Sequence, residues 1–277
     1  MKQNSLSQTL KKTWQSYEGQ VHLSRTRPST RNIHELRVST QKLEAVLTLA
    51  HSLRATHHSK NIISLIKKVR KSLGPLRDIQ VESPGFSSLG VSQKTGQKRR
   101  EFSAFFADQK NRAKRKAERC LNDISLGSER KRVGRIAAKI EQNEQKYNRR
   151  QIQLQLDAKL KADVLRFNAA MKTVNPERLK DIHRFRILAK KLRYQSECRN
   201  ALIGTAQFNL DDLKQIQTVA GRIQNDSILI ETLDRFLHKK KHSEDPKALK
   251  LRKRIELNQL NLIKKDFSLL TNLQWRN

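Results

Sequence analysis

The chain has 277 residues, 36% of them apolar and 31% charged, and its 59 Lys and Arg against 26 Asp and Glu leave a net charge of +33. That length suffices for one large or two small packed units, and the apolar share, though lean, excludes a disordered chain. So large an excess of positive charge repels itself in a compact fold, which points to a polyanionic partner: nucleic acid, an acidic membrane surface or an inorganic phosphate polymer.

In chain order, the N-terminal MKQNSLSQTLKKTWQSYEG lacks the apolar run of a signal peptide. Helical periodicity then predicts helices over 5–22, 30–55, 58–82, 95–122, 128–172, 177–203, 207–238 and 245–272. No segment alternates as a strand does, and five prolines and nine glycines leave few breaks. The Gly- and Ser-rich SPGFSSLGVSQKTGQ over 83–97 reads as a flexible connection, and HSEDP over 242–246 as a second break. Between them, Asn175 is read as a helix cap with Pro176 in the first turn. No run of about 18 apolar residues occurs, so no membrane span is expected and the chain reads as soluble and cytoplasmic. Cys120 and Cys198 have no metal-ligand spacing, and neither a metal nor a cofactor is called for.

An internal repeat organises the whole. NIHELRVSTQKLEAVL (32–47) aligns without gaps to DIHRFRILAKKLRYQS (181–196), with five identities in the eleven positions from 33 and from 182. Each copy precedes a second match: LIKKVRKSLGPLRDIQV (65–81) resembles LKQIQTVAGRIQNDSIL (213–229), pairing Gly74 with Gly221 and Asp78 with Asn225. Two segments repeated in the same order predict two halves of roughly four helices each.

At about 100° per residue, His183, Arg186, Lys190 and Arg193 fall within an arc of about 80°. Phe185, Leu188, Ala189 and Leu192 gather on the other side. A basic face is ordinarily only a solvated surface. Here it recurs in both halves and lacks the interleaved acids that support exposed lysines. Similar stripes follow at Gln109, Arg112, Lys116 and Arg119, and at Arg132, Arg135, Lys139 and Gln142, of which Arg112, Lys116 and Arg135 are candidate anion ligands.

HELRVSTQKL and HRFRILAKKLRY, each followed by a glycine–aspartate turn motif, resemble the conserved histidine α-helical domain (CHAD) family over roughly residues 5–270. The resemblance implies an all-α fold of two pseudo-symmetric four-helix bundles, about 5–142 and 143–270, forming one domain with a basic central surface or pore. It also implies binding of inorganic polyphosphate without catalysis, with association with polyphosphate granules as the expected location. His34, Arg37 and Lys42 in the first half, and His183, Arg186, Lys190, Lys191 and Arg193 in the second, fall on the motif's polar and basic positions. Gln41 and Glu44 stand where the second half has Lys190 and Arg193, and Asn225, followed by Asp226, replaces the second aspartate. These departures make the first-half stripe the weaker anion ligand. The histidines, near helix starts, are expected to donate to phosphate when neutral and to gain charge as pH falls through about 6–7. Arg77–Asp78 and Asn225–Asp226 are read as fixing the turn after each glycine, with Arg77 a secondary anion contact.

The main alternative is a protein that grips the phosphate backbone of RNA or DNA. Readers of single-stranded bases need exposed aromatics among their cations, and only 14 residues are aromatic, with Phe102, Phe105 and Phe106 grouped like core residues. An enzyme of phosphoryl transfer would need a glycine phosphate loop or clustered carboxylates for magnesium, and neither occurs. Membrane-surface binding fits less well, because the apolar faces lack the aromatic bias of interfacial helices. Oligomeric state is not legible.

Overall fold

The computed structural model describes residues 5–53, 59–80, 96–204, 210–238 and 246–267, with the side chains of 96–103 and 247 excepted. Most of the connection expected over 83–97 and of the break over 242–246 lies outside these residues. Among the described residues all regular structure is helical: α1 (Leu6–Thr26), α2 (Thr30–Ser52), α3 (Ser59–Ser72), α4 (74–80), α5 (Gly96–Asn122), α6 (Leu126–Lys146), α7 (Arg149–Thr173), α8 (Leu179–Ile203), α9 (Leu210–Leu237) and α10 (Pro246–Asn261), which runs into a π-helical turn at Leu262–Phe267.

Local chemistry sets the boundaries. Ser5 and Gln8 form a reciprocal capping box at the start of α1, and the Ser29 hydroxyl accepts from the Asn32 N–H at the start of α2. The helix expected over 128–172 is instead two. Asn148 and Gln151 make a second capping box that opens α7, so the chain turns at Tyr147 and Asn148. Asn175 does not cap α8. Its side-chain oxygen accepts from the Glu177 N–H and its carbonyl from the Arg178 N–H, which makes NPER a turn before the helix begins at Leu179. Gly204 closes α8 at φ 83°, a left-handed conformation that glycine adopts without strain.

α1 packs along α2 and against α5 and α6, and α3 joins α2, α5 and α6. α8 packs between α7 and α9, and α10 lies on α9. These two groups meet where α2 lies against α7 and α8, and again where Phe105 of α5 meets Phe236 of α9 at 5.6 Å. One apolar cluster runs through both, from Leu6 and Ile33 to Phe185 and Phe267. On α8, Ile182, Phe185, Ala189 and Leu192 are buried, and Phe185 stacks on Phe167 with ring centroids 4.9 Å apart. Arg186, Lys190 and Arg193 lie off this buried face, whereas Arg199 further along the helix is buried and paired with Asp157 at 2.8 Å.

Phe185→Ala would leave a cavity at this stack and should lower the unfolding free energy by about 3–5 kcal/mol, measured by urea denaturation.

Candidate functional site

Packing α2 against α8 brings together the two segments that repeat in the sequence. Arg37 of α2 is half-buried and donates from Nη1 to the Arg70 carbonyl at 2.6 Å, in the last turn of α3, where helix carbonyls lack intrahelical partners. Arg186 lies within electrostatic reach of Arg37, and both lie within reach of the Asp78 carboxylate on α4. Asp78 is half-buried. Burial raises its pKa above the ordinary carboxylate value, opposed by the charges of Arg37, Arg77 and Arg186.

Lys190 sits one turn beyond Arg186. Its neighbours are Arg186 and Arg193 on its own helix, Arg37 on α2 and Arg70 on α3. Burial first, then these like charges, push its pKa down to about 7. His34 also belongs to the cluster: burial, then the charge of Arg77, lower its pKa, with Lys190 and Arg37 adding to the effect and Glu35 opposing it. At His34 the gain of charge is thereby displaced toward lower pH.

The rim is partly neutralised. Arg70 reaches Glu44 at 2.5 Å, Lys67 reaches the same carboxylate at 3.4 Å, and Arg193 reaches Glu197 at 3.2 Å. Arg193 also lies 4.4 Å over the ring of Tyr194. The Nε atoms of Arg186 and Arg193 are buried and have no hydrogen-bond partner among the described residues.

The glycines have a different role from the turns read in the sequence. Gly74 opens α4 and Gly221 lies inside α9, so the stretches that follow them are helical. Each glycine lies beneath an arginine at a distance that a Cβ would meet as an ordinary contact and a larger side chain would not. A Cβ built on Gly74 would lie 3.9 Å from Arg37 Nη1, and one on Gly221 would lie 3.5 Å from Arg186 Nη2. The repeat thus places the same pair, Arg over Gly, in each half. A second correspondence follows: His34 lies near Arg77, and His183 pairs Nδ1 with Gln224 Oε1 at 2.6 Å, Gln224 being the aligned partner of Arg77. With the amide oxygen accepting, Nδ1 of His183 carries the proton, and Nε2 donates to an anion only in the imidazolium form.

The remaining candidates lie outside this cluster. Lys42 and Lys191 are exposed beside it on α2 and α8. On α5, Arg112 is ion-paired with Asp108 at 2.9 Å and Lys116 is exposed, as is Arg135 on α6. None of these three is among the charges that shift Lys190, Arg37 or His34. The sequence reading missed Arg70, gave Asp78 only a turn-fixing role, and gave Arg77 that role with a secondary anion contact. Arg70 precedes Gly74 by one turn, a spacing that marks the same helix face. Among the described residues, no group of three or more His, Cys, Asp or Glu is placed to hold a metal, and no helix is long and apolar enough to cross a membrane.

Among the described residues the helices thus gather a partly buried arginine and lysine cluster around the Asp78 carboxylate. The CHAD domain family matches residues 8–234, and the protein belongs to that family. The CHAD domain structure from the plant Ricinus communis is similar at 15% identity, with a TM-score of 0.65 over 99% of this chain and 94% of that one. PptA from Streptomyces chartreusis is similar at 14% identity, with a TM-score of 0.61 over 96% of this chain and 97% of that one. At these identities the likeness establishes the fold. No curated protein matches the sequence.

The Cβ distances at Gly221 are ordinary contacts, so Gly221→Ala should fold and gain roughly 0.5–1 kcal/mol of helix stability. Gly221→Leu must displace Arg186 and should weaken anion binding by about tenfold, equivalent to about 1.4 kcal/mol; urea denaturation and calorimetric titration test the pair.

Proposed function

We propose that the protein binds inorganic polyphosphate without transforming it, through Arg37, Arg70, Arg77, Arg186, Lys190 and Arg193. The family is associated with polyphosphate. The observation that carries the reading for this chain is the convergence of the two repeated motifs on Asp78, with guanidinium Nε donors left unpartnered. A phosphate chain offers a charge and several acceptor oxygens in every unit, which suits arginine forks and a point-charge lysine. The two halves of the repeat are read as the two sides of one basic surface. Lys42 and Lys191, exposed beside the cluster, extend the contact, as does His183 when protonated. Arg112, Lys116 and Arg135 engage only a longer polymer. The cellular role consistent with this is recruitment to polyphosphate granules in the cytoplasm.

The test is calorimetric titration with polyphosphate, in competition with double-stranded DNA and RNA at matched charge and at two salt concentrations. Polyphosphate should win, and its affinity should fall steeply with salt as counterions are no longer released to advantage. Preference for RNA or DNA would assign the site to nucleic-acid backbones instead. Arg186→Ala combined with Lys190→Ala should weaken binding by at least about tenfold, or about 1.4 kcal/mol, while circular dichroism remains helical.

Binding should also take up a proton. Lys190 has its pKa near 7 in the free protein, and a bound anion favours the ammonium form, raising that pKa. At pH values above about 7 the complex therefore holds more protons than the free protein. Affinity should rise as pH falls from about 9 to 7, by at most about tenfold per pH unit, and level off below. Lys190→Arg should flatten that part of the profile.

A further inference from the structure

Lys190 differs chemically from the other lysines of the cluster's surroundings. Lys67 has Glu44 as its partner, and Lys159, elsewhere on α7, has Asp163. Lys190 has no hydrogen bond or ion pair among the described residues, although it is half-buried. Charges surround it from every side of the cluster: Arg186 and Arg193 on α8, Arg37 and His34 on α2, and Arg70 on α3. Beyond them, Asp78 on α4 acts on both Arg37 and Arg186, Arg77 of the same helix acts on Arg37, and Glu231 on α9 acts on Asp78. Burial first, and then crowding by four cations with no carboxylate of its own, drives the ammonium to release its proton. At neutral pH much of Lys190 is therefore a free amine, which is the nucleophilic form. The cations that strip the proton are also those suited to hold phosphate.

We propose that Lys190 is a site of covalent acylation whose substrates are acyl phosphates, the mixed anhydrides of a small carboxylic acid and phosphoric acid. The proposal rests on reading the cluster as a phosphate-binding one. The arginines hold the phosphate end, which sets the acyl carbonyl beside Nζ. The Nζ lone pair attacks the carbonyl carbon, the bond from that carbon to the phosphate oxygen breaks, and its electron pair leaves with inorganic phosphate. The nitrogen then releases a proton to water, leaving a neutral amide on Lys190. Nothing is oxidised or reduced, and no further reactant enters. Arg37 and Arg186 stabilise the charge that grows on the departing phosphate. Acylation removes one cation from the cluster permanently, so it also lowers affinity for a bound polyanion. Polyphosphate acts in opposition: it occupies the arginines and returns Lys190 to the unreactive ammonium.

The full chain is incubated with acetyl phosphate across pH 6–10 and mapped by fragmentation mass spectrometry, with the exposed Lys42 and Lys191 as internal references. Lys190 should acetylate at least about tenfold faster than either reference at pH 7.5, because the arginines hold the reagent's phosphate beside its free amine. Its rate should level off above about pH 8, once the free amine is fully formed. Saturating polyphosphate should suppress the reaction most strongly at the half-buried Lys190, and less at Lys42 and Lys191, which it contacts at the exposed edge of the cluster. A succinimidyl acetate, which carries no phosphate, should show a much smaller preference for Lys190. Acetylation of Lys190 no faster than the references, in a protein that still binds polyphosphate by titration, overturns this inference alone. An equal preference with the succinimidyl reagent overturns the recognition of acyl phosphates. Failure to bind polyphosphate overturns the underlying reading of the site.

Discussion

The carboxylate of Asp78 is the point on which the cation cluster depends. Arg37, Arg77 and Arg186 all lie within its electrostatic reach, and without it three guanidinium groups would crowd a half-buried space with no counter-charge. Buried charge is tolerated only when it is paired. Asp78 comes from the first half of the sequence and Arg186 from the second, so the same interaction that makes the cluster tolerable also ties α4 to α8. The packing of α2 on α8 and the electrostatics of the site therefore reinforce each other. Glu44 and Glu197 do for the rim, through Arg70 and Arg193, what Asp78 does for the floor.

The repeat explains where these residues came from, and its departures explain why the site works. Asn225 stands where a second Asp78 would be, and the neighbouring Asp226 accepts instead from Asn258 of α10 at 2.8 Å. Gln41 stands opposite Lys190 in the alignment, Glu44 opposite Arg193, and Gln224 opposite Arg77. The first half thus supplies the counter-charge, and the second supplies the lysine and the outer arginine. Two copies of Lys190 would intensify the repulsion that already deprotonates one. Two copies of Asp78 would neutralise most of what an anion could be offered. Divergence leaves one carboxylate serving both motif arginines.

Much of the architecture is legible in the sequence because long helices with buried apolar faces leave a period that needs no tertiary information. Phe185, Ala189 and Leu192 could be placed on the core side of α8 by counting. The boundary between α6 and α7 was legible too, in Asn148 and Gln151, but periodicity continues across it and masks the cap. The motif positions His34, Arg37, Arg186 and Lys190 were found through the repeat. Arg70 and the true part played by Asp78 were not, since they depend on which helix faces land together. The glycines misled for a related reason. Gly74 and Gly221 suggested turns, yet each lies in helix and serves by the absence of a side chain beneath a guanidinium, a requirement invisible until the arginine above it is known. The depressed pKa of Lys190 is of the same kind: no local sequence around residue 190 encodes the approach of Arg37 and Arg70.

The net charge of +33 overstates the repulsion that the cluster must bear in the free protein. Burial and Arg77 disfavour the charged form of His34, and Lys190 sheds its proton over a range where ordinary lysines keep theirs. Both responses lower the local charge without removing any hydrogen-bonding group. Under the proposed function, a polyanion arriving at the cluster reverses the response of Lys190, since phosphate oxygens beside the amine favour the ammonium. The cluster is then least charged when empty and most charged when filled. In the free protein, the loss of a proton from Lys190 relieves a stripe that should weaken its own helix.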